Sequence, residues 1–206
     1  MKQLIVYVHP DSKSFCHAIK DAYVEALQAQ GKEVRIRDLY AEDFNPVLRY
    51  RELQQMHHGG KMNDDLSEDL KIEQAFVKWA DVITFIYPIW WSGMPAILKG
   101  YIDRVFTYNF AYTVKDDRLV GLLVNKRVLI INTMGGEKDI YLQTGMLTAM
   151  ENIIDNGIFK MCEMDVVGHY FFGNLIARGE EHRKNILRQV RKIADTQTGE
   201  LNEIYF

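Results

Sequence analysis

The chain has 206 residues, 48% hydrophobic and 26% charged, a composition that suits one soluble α/β domain with a sizeable core. A formal net charge of -3 is too small to argue for nucleic acid or an anionic membrane as partner. The two cysteines, Cys16 and Cys162, lie far apart without metal-ligand spacing and point to a reducing compartment. The apolar run at residues 4–8 is too short for a signal peptide, and no run approaches the length of a membrane span, so a cytoplasmic location and no membrane insertion are expected.

Residues 4–8 (Leu-Ile-Val-Tyr-Val) read as a first strand covered on both faces. A polar loop with His9, Ser12 and Ser14 follows, then a helix with Ile19, Ala22, Tyr23, Ala26 and Leu27 on one face, ended by Gly31. Residues 33–39 alternate, as a less buried strand does, which completes a βαβ unit. Residues 40–63 have a weak pattern and read as an insertion. Its adjacent His57-His58 lacks the spacing of a metal site, and none is expected. Ser67 caps a helix whose apolar face is expected at Ile72, Phe76, Trp79 and Ala80.

The most informative stretch is 80–106. Residues 80–86 form an apolar, β-branched run that reads as a buried parallel strand. An aromatic loop, Tyr87-Pro88-Ile89-Trp90-Trp91-Ser92-Gly93-Met94, breaks it. Pro95 then opens a helix with Met94 expected at the N-cap, and Leu98, Tyr101, Ile102, Val105 and Phe106 recur at helical spacing. In open parallel sheets, ligands bind outside the carboxyl ends of the strands, where paired tryptophans suit a planar ring. One tryptophan in the core and one in a dimer contact is the bland alternative, and it stays open here.

Residues 111–125 read as an irregular connection and 128–132 as a fourth buried strand. The loop Thr133-Met134-Gly135-Gly136 leads on to Tyr141. A helix carries Met146, Leu147, Met150, Ile153 and Ile154 and is expected to stop at Asn156-Gly157. Residues 162–167 are the expected fifth strand, and Ile186, Leu187, Val190, Ile193 and Ala194 mark a last helix. The whole reads as a single domain, 1–206, a doubly wound five-stranded parallel sheet of order 2-1-3-4-5 with helices on both faces. Three loops, 9–16, 88–94 and 133–141, then meet at one crevice. There is no separate dinucleotide-binding Gly-x-Gly-x-x-Gly, no phosphate loop and no Gly-x-Ser-x-Gly elbow.

The run Tyr87-Pro88-Ile89-Trp90-Trp91-Ser92-Gly93-Met94-Pro95-Ala96-Ile97-Leu98-Lys99-Gly100 resembles the flavin-contacting segment of the flavodoxin-like NAD(P)H:quinone oxidoreductases. Val8-His9-Pro10 with Ser14-Phe15, and Thr133-Met134-Gly135-Gly136 before Tyr141, extend the likeness over nearly the whole chain. The resemblance implies a flavin, FAD or alternatively FMN, held by His9, Ser14, Phe15, Cys16, Pro88, Ile89, Trp90, Trp91, Thr133, Gly135, Gly136 and Tyr141. Cys16 stands where FAD-binding members carry Asn. It implies NADH or NADPH as donor, hydride passing to flavin N5 and then to a quinone or similar electrophile in ping-pong order, with Tyr141 catalytic. Trp91, Phe110, Tyr112 and Met164 are expected to line the acceptor pocket. A homodimer with sites at its interface is implied, with residues 40–63 and 201–206 expected in that interface. Leu147 takes the place of a histidine that relatives pair with their tyrosine. Two alternatives within the same likeness are an electron-transfer flavodoxin and a flavin-binding regulatory subunit of a potassium-efflux system.

Overall fold

A computed structural model of the chain describes residues 1–57, 66–175 and 178–196. Strands β1 (Lys2–Tyr7), β2 (Glu33–Asp38), β3 (Val82–Pro88), β6 (Arg127–Thr133) and β7 (Asp165–Phe172) form one sheet in the order β2-β1-β3-β6-β7, every pairing parallel. Counted within this sheet, that is the expected 2-1-3-4-5. The residues at the centre explain the shape. β3 is buried at all seven positions, and Leu4, Ile5 and Val6 of β1 have no exposed surface. Strands so apolar on both faces need helices over both.

Those helices make two layers. Helices α1 (Phe15–Ala29) and α7 (Gly179–Thr196) cover one face, where Ile19, Tyr23 and Leu27 meet Ile186, Val190 and Ile193 against Ile5 and Ile131. Helices α3 (Glu68–Trp79), α4 (Ala96–Val105) and α6 (Met146–Glu151) cover the other through Leu70, Val77, Leu98, Tyr101, Leu147 and Met150. A short helix α5 (Lys138–Gln143) precedes α6. Among the described residues no helix is long and apolar enough to cross a membrane.

Several local expectations need correction. Helix α3 turns Glu73 and Gln74 inward instead of Ile72, which is largely exposed. The reason is polar satisfaction: Glu73 pairs with Arg37, and the Gln74 amide donates to Val105 O and to Thr107 Oγ1. The cap before α4 is Pro95, one residue later than expected. The segment 111–125 is not irregular throughout, since β4 (Tyr112–Lys115) and β5 (Arg118–Gly121) form an antiparallel hairpin. Its turn residues Asp116 and Asp117 both have positive φ, as a two-residue primed turn requires.

The helix from Met146 passes Asn156-Gly157. It widens into a π-helical stretch, Asn152–Phe159, that brings Ile154 and Phe159 into the core, and closes with a 3-10 turn at Lys160–Cys162. The fifth sheet strand consequently starts at Asp165 rather than at residue 162. Within the insertion, α2 (Tyr50–His57) is anchored by the buried Arg104, which donates to Glu52 and to Asn45 O and meets Asp69 at 2.9 Å. His58 and the 201–206 tail lie outside the described residues.

Candidate active site

The three loops at the carboxyl ends of β1, β3 and β6 are tied together by contacts between residues singled out in the sequence. His9 meets the Trp90 ring edge-on, with centroids 5.8 Å apart. The Cys16 thiol has a hydrogen bond with Thr133 and is pushed up to about 12 by burial, so it packs rather than reacts. The Ile89 amide donates to Thr133 O at 2.7 Å.

In the first loop, Asp11 accepts from the Lys13 amide, and Ser14 caps α1 by accepting from the His17 amide. Ser14 is therefore both a helix cap and a hydroxyl at a helix N-terminus, where anions are favoured. Phe15 is half-buried beside it.

The second loop is a tight turn. Trp90 and Gly93 exchange both backbone hydrogen bonds at 3.0 Å, and Trp91 and Ser92 sit between them at φ 51° and 57°. Two non-glycine residues in the left-handed region are strained, more so when one is a tryptophan. The turn lifts Trp91 wholly into solvent, at 101% relative exposure, while Ile89 is buried and Trp90 is 40% exposed. Helix α4 begins just beyond with no side-chain cap; Pro95 O takes the Leu98 and Lys99 amides, which leaves those of Ala96 and Ile97 for another acceptor.

The third loop starts from buried Thr133 and Met134 and emerges at exposed Gly135 and Gly136. The Tyr141 ring folds over Gly136, where a Cβ would lie 3.1 Å from its Cε2. Gly136 O accepts from the Asn174 amide, which fixes the loop against the segment after β7. Leu147 is buried in the core on which Tyr141 packs.

The proposed acceptor residues do not assemble in one chain. Met164 precedes β7 and so lies at the amino edge of the sheet. Asp165 pairs with Arg127 there, whereas Thr133 pairs with Phe172 at the crevice end. Some seven residues of strand separate the two ends, roughly 20 Å or more. Phe110 and Tyr112 also lie beyond the far end of α4, which runs back from the Trp91 loop. Phe110 lines a cavity of about 490 Å³ with Lys71, Lys78 and Lys126, and Tyr112 lines one of about 310 Å³ with Phe106 and Met161. A pocket shared by Trp91, Phe110, Tyr112 and Met164 needs two copies of the chain.

Sequence reasoning missed one feature beneath the crevice, a hydrogen-bonded set of the buried Asn132 with the part-buried His169 and Asp155. The available signal was Asn132, a lone polar residue inside an apolar strand.

Comparison with known proteins agrees with this fold. The family model described as flavodoxin-like fold matches residues 1–196. An uncharacterized NAD(P)H oxidoreductase of Haemophilus influenzae is 38% identical over 188 residues, 91% of each chain. NAD(P)H dehydrogenase [quinone] 1 of Rattus norvegicus is 32% identical, over all of this chain and 80% of its own. The structure of the NAD(P)H:quinone oxidoreductase from Methanothermobacter marburgensis superposes with a TM-score of 0.83 at 27% identity, covering 95% of this chain and 98% of that one. With its parallel sheet, its three-loop crevice and relatives of this kind, the chain belongs to the flavodoxin-like NAD(P)H:quinone oxidoreductase family and is an oxidoreductase.

Proposed function

We propose that this chain is a flavin-dependent NAD(P)H:quinone oxidoreductase, and the observation that carries the reading is Trp91. A tryptophan with its whole side chain in water in the single chain, held there by a strained turn, offers a planar ligand a ring to stack on. The other groups of the crevice fit a flavin. The start of α1 and the Ser14 hydroxyl suit its phosphate. The uncapped amides of α4 suit the polar edge of its ring, and Gly135 and Gly136 let backbone approach the pyrimidine end.

The bound flavin would accept a hydride at N5 from NADH or NADPH and pass it to a quinone or similar electrophile. The chain's part is to bind and orient. Trp91 would bound the space that donor and acceptor occupy in turn, which is the basis for a ping-pong order. The Tyr141 hydroxyl, with the amides near Gly135 and Gly136, would meet negative charge at flavin N1 and O2, in the manner of an oxyanion hole. FAD and FMN both suit these groups. The buried Cys16 thiol is a poor polar partner for a larger cofactor, whereas the 40–63 insertion resembles that of the longer, FAD-binding members of the family.

Two copies are part of the proposal. In a homodimer, Phe110, Tyr112 and Met164 of one copy would face the Trp91 loop of the other and complete the acceptor pocket. The quinone would then be bound between copies.

The test is to purify the protein, release any bound flavin by heat, and identify it by chromatography. The holoprotein is then mixed with NADH or NADPH and the flavin absorbance followed. Expected is one flavin per chain that bleaches with nicotinamide and recovers when a quinone is added. Protein that binds neither FAD nor FMN refutes the reading.

A further inference from the structure

The polar set beneath the crevice does more than fill space. His169 lies on β7, its side chain 3% exposed, its ring stacked on Phe171 with centroids 4.2 Å apart. Its Nδ1 is 2.8 Å from Asp155 Oδ1, on the π-helical stretch, and its Nε2 is 2.7 Å from Asn132 Oδ1. Asn132 has no exposed surface, and its Nδ2 donates to Tyr87 O at 3.3 Å.

The ring of His169 is held from both ends, by Asp155 at Nδ1 and by Asn132 at Nε2, so its orientation is set by two partners from different elements. Apolar side chains would have filled this volume at lower cost, which points to a use for the polar arrangement.

That use is visible in what Asn132 touches. Asn132 is followed by Thr133, the root of the third loop. The carbonyl it holds belongs to Tyr87, the residue before Pro88, the root of the tryptophan loop. Tyr87 and Asn132 are also register partners in the β3–β6 ladder. The π-helical widening is what sets Asp155 opposite β7, and such widenings cluster at functional positions.

We propose that His169, oriented by Asp155, is a positioning residue that acts through Asn132 to fix the roots of the two loops that receive the flavin. The proposal rests on the flavin reading above.

Flavin titration on the full chain tests it. FMN and FAD are titrated into flavin-stripped chains by fluorescence quenching. His169→Leu, which has no polar group to offer Asn132, should bind at least tenfold more weakly than wild type. His169→Gln keeps a polar partner for Asn132 and should stay within about threefold. A folded His169→Leu that binds as wild type does overturns the proposal, and so does a His169→Gln that falls as far as leucine. Should His169→Leu not fold, Asp155→Ala takes its place in the titration and must bind at least threefold more weakly; wild-type affinity there overturns the proposal. Wild-type protein that binds neither flavin instead refutes the functional reading, and this one with it.

Discussion

Replacing Trp91 with glycine should move stability and binding in opposite directions. The side chain is fully exposed, so its removal uncovers no buried surface and forfeits no burial energy. Its φ of 51° holds a bulky residue in the left-handed region, which costs roughly 1–2 kcal/mol relative to glycine. Against that gain, glycine's freedom in the unfolded chain costs about 0.4–1 kcal/mol. The balance lies between about zero and 1.5 kcal/mol in favour of Trp91→Gly. At about 2–4 °C per kcal/mol for a chain of this length, the flavin-free protein should gain up to about 6 °C in Tm. Binding should worsen, because a stacked ring on an aromatic platform is worth about 1–3 kcal/mol, or roughly 5- to 150-fold. Scanning calorimetry of the flavin-free chain gives the first quantity; flavin Kd and quinone KM give the second. A Tm that falls by several degrees would mean that Trp91 is covered in solution and is a contact, not a platform. Unchanged Kd and KM would remove it from the site.

Tyr141→Phe should slow flavin reduction by about 10- to 150-fold, the loss of one hydrogen bond to a charged group worth roughly 1.5–3 kcal/mol; equal stopped-flow rates would leave the backbone amides as the only stabilisers. Burial alone would raise the Glu52 carboxyl, but hydrogen bonds from Arg104 and the Arg49 amide outweigh it and hold the group below its ordinary 4.5. The stability this contributes is complete above pH 4.5 and is lost as pH falls through the lower folded value, so Tm measured from pH 3 to 7 should drop less steeply in Glu52→Gln; parallel curves would exclude the group. At Gly100 a Cβ would collide with the backbone carbonyl of Pro46, so Gly100→Ala should cost about 1–3 kcal/mol, or roughly 2–12 °C in Tm, and an unchanged Tm would show that the insertion can move aside.

What the sequence made legible is what periodicity and composition encode. Residues 4–8, 80–86 and 128–132 are apolar enough on both faces to demand a parallel sheet, whereas the strand order came with the resemblance to the flavodoxin-like family. The two faces of α3 were harder. Ile72 looks like a core residue by hydrophobicity, but Glu73 and Gln74 take the buried positions because their partners, Arg37, Val105 and Thr107, come from elsewhere in the chain. No local pattern records a partner more than 30 residues away. The hairpin at 112–121 was hidden by its Asp116-Asp117 turn, where glycine is the usual marker. At the site, the loops were legible as motifs, whereas the far position of Met164 depended on where β7 begins, and the π-helical stretch set that.

The same stretch bears on how charge is handled at the crevice. Leu147, where a proton-carrying side chain would sit beneath Tyr141, is 5% exposed and packed in the core. Leucine carries no proton, so it adds no titrating group beside the Tyr141 hydroxyl and the amides near Gly135 and Gly136. A further polar set lies one layer back. Asp155 and His169 face each other across the end of the apolar layer, and their effect reaches the loops through the amide of Asn132. Three residues of chain span at most about 11 Å, so Asn132 and Gly135 are close enough for a shift of one to move the other. The Asp155–His169–Asn132 chain behind these donors holds their geometry. Position 147 itself adds no titrating group, so Leu147→His should add a pH-dependent step between about pH 6 and 8 to the flavin reduction profile of wild type. Stopped-flow profiles of the two proteins that superpose would show that a side chain at 147 does not reach the ring.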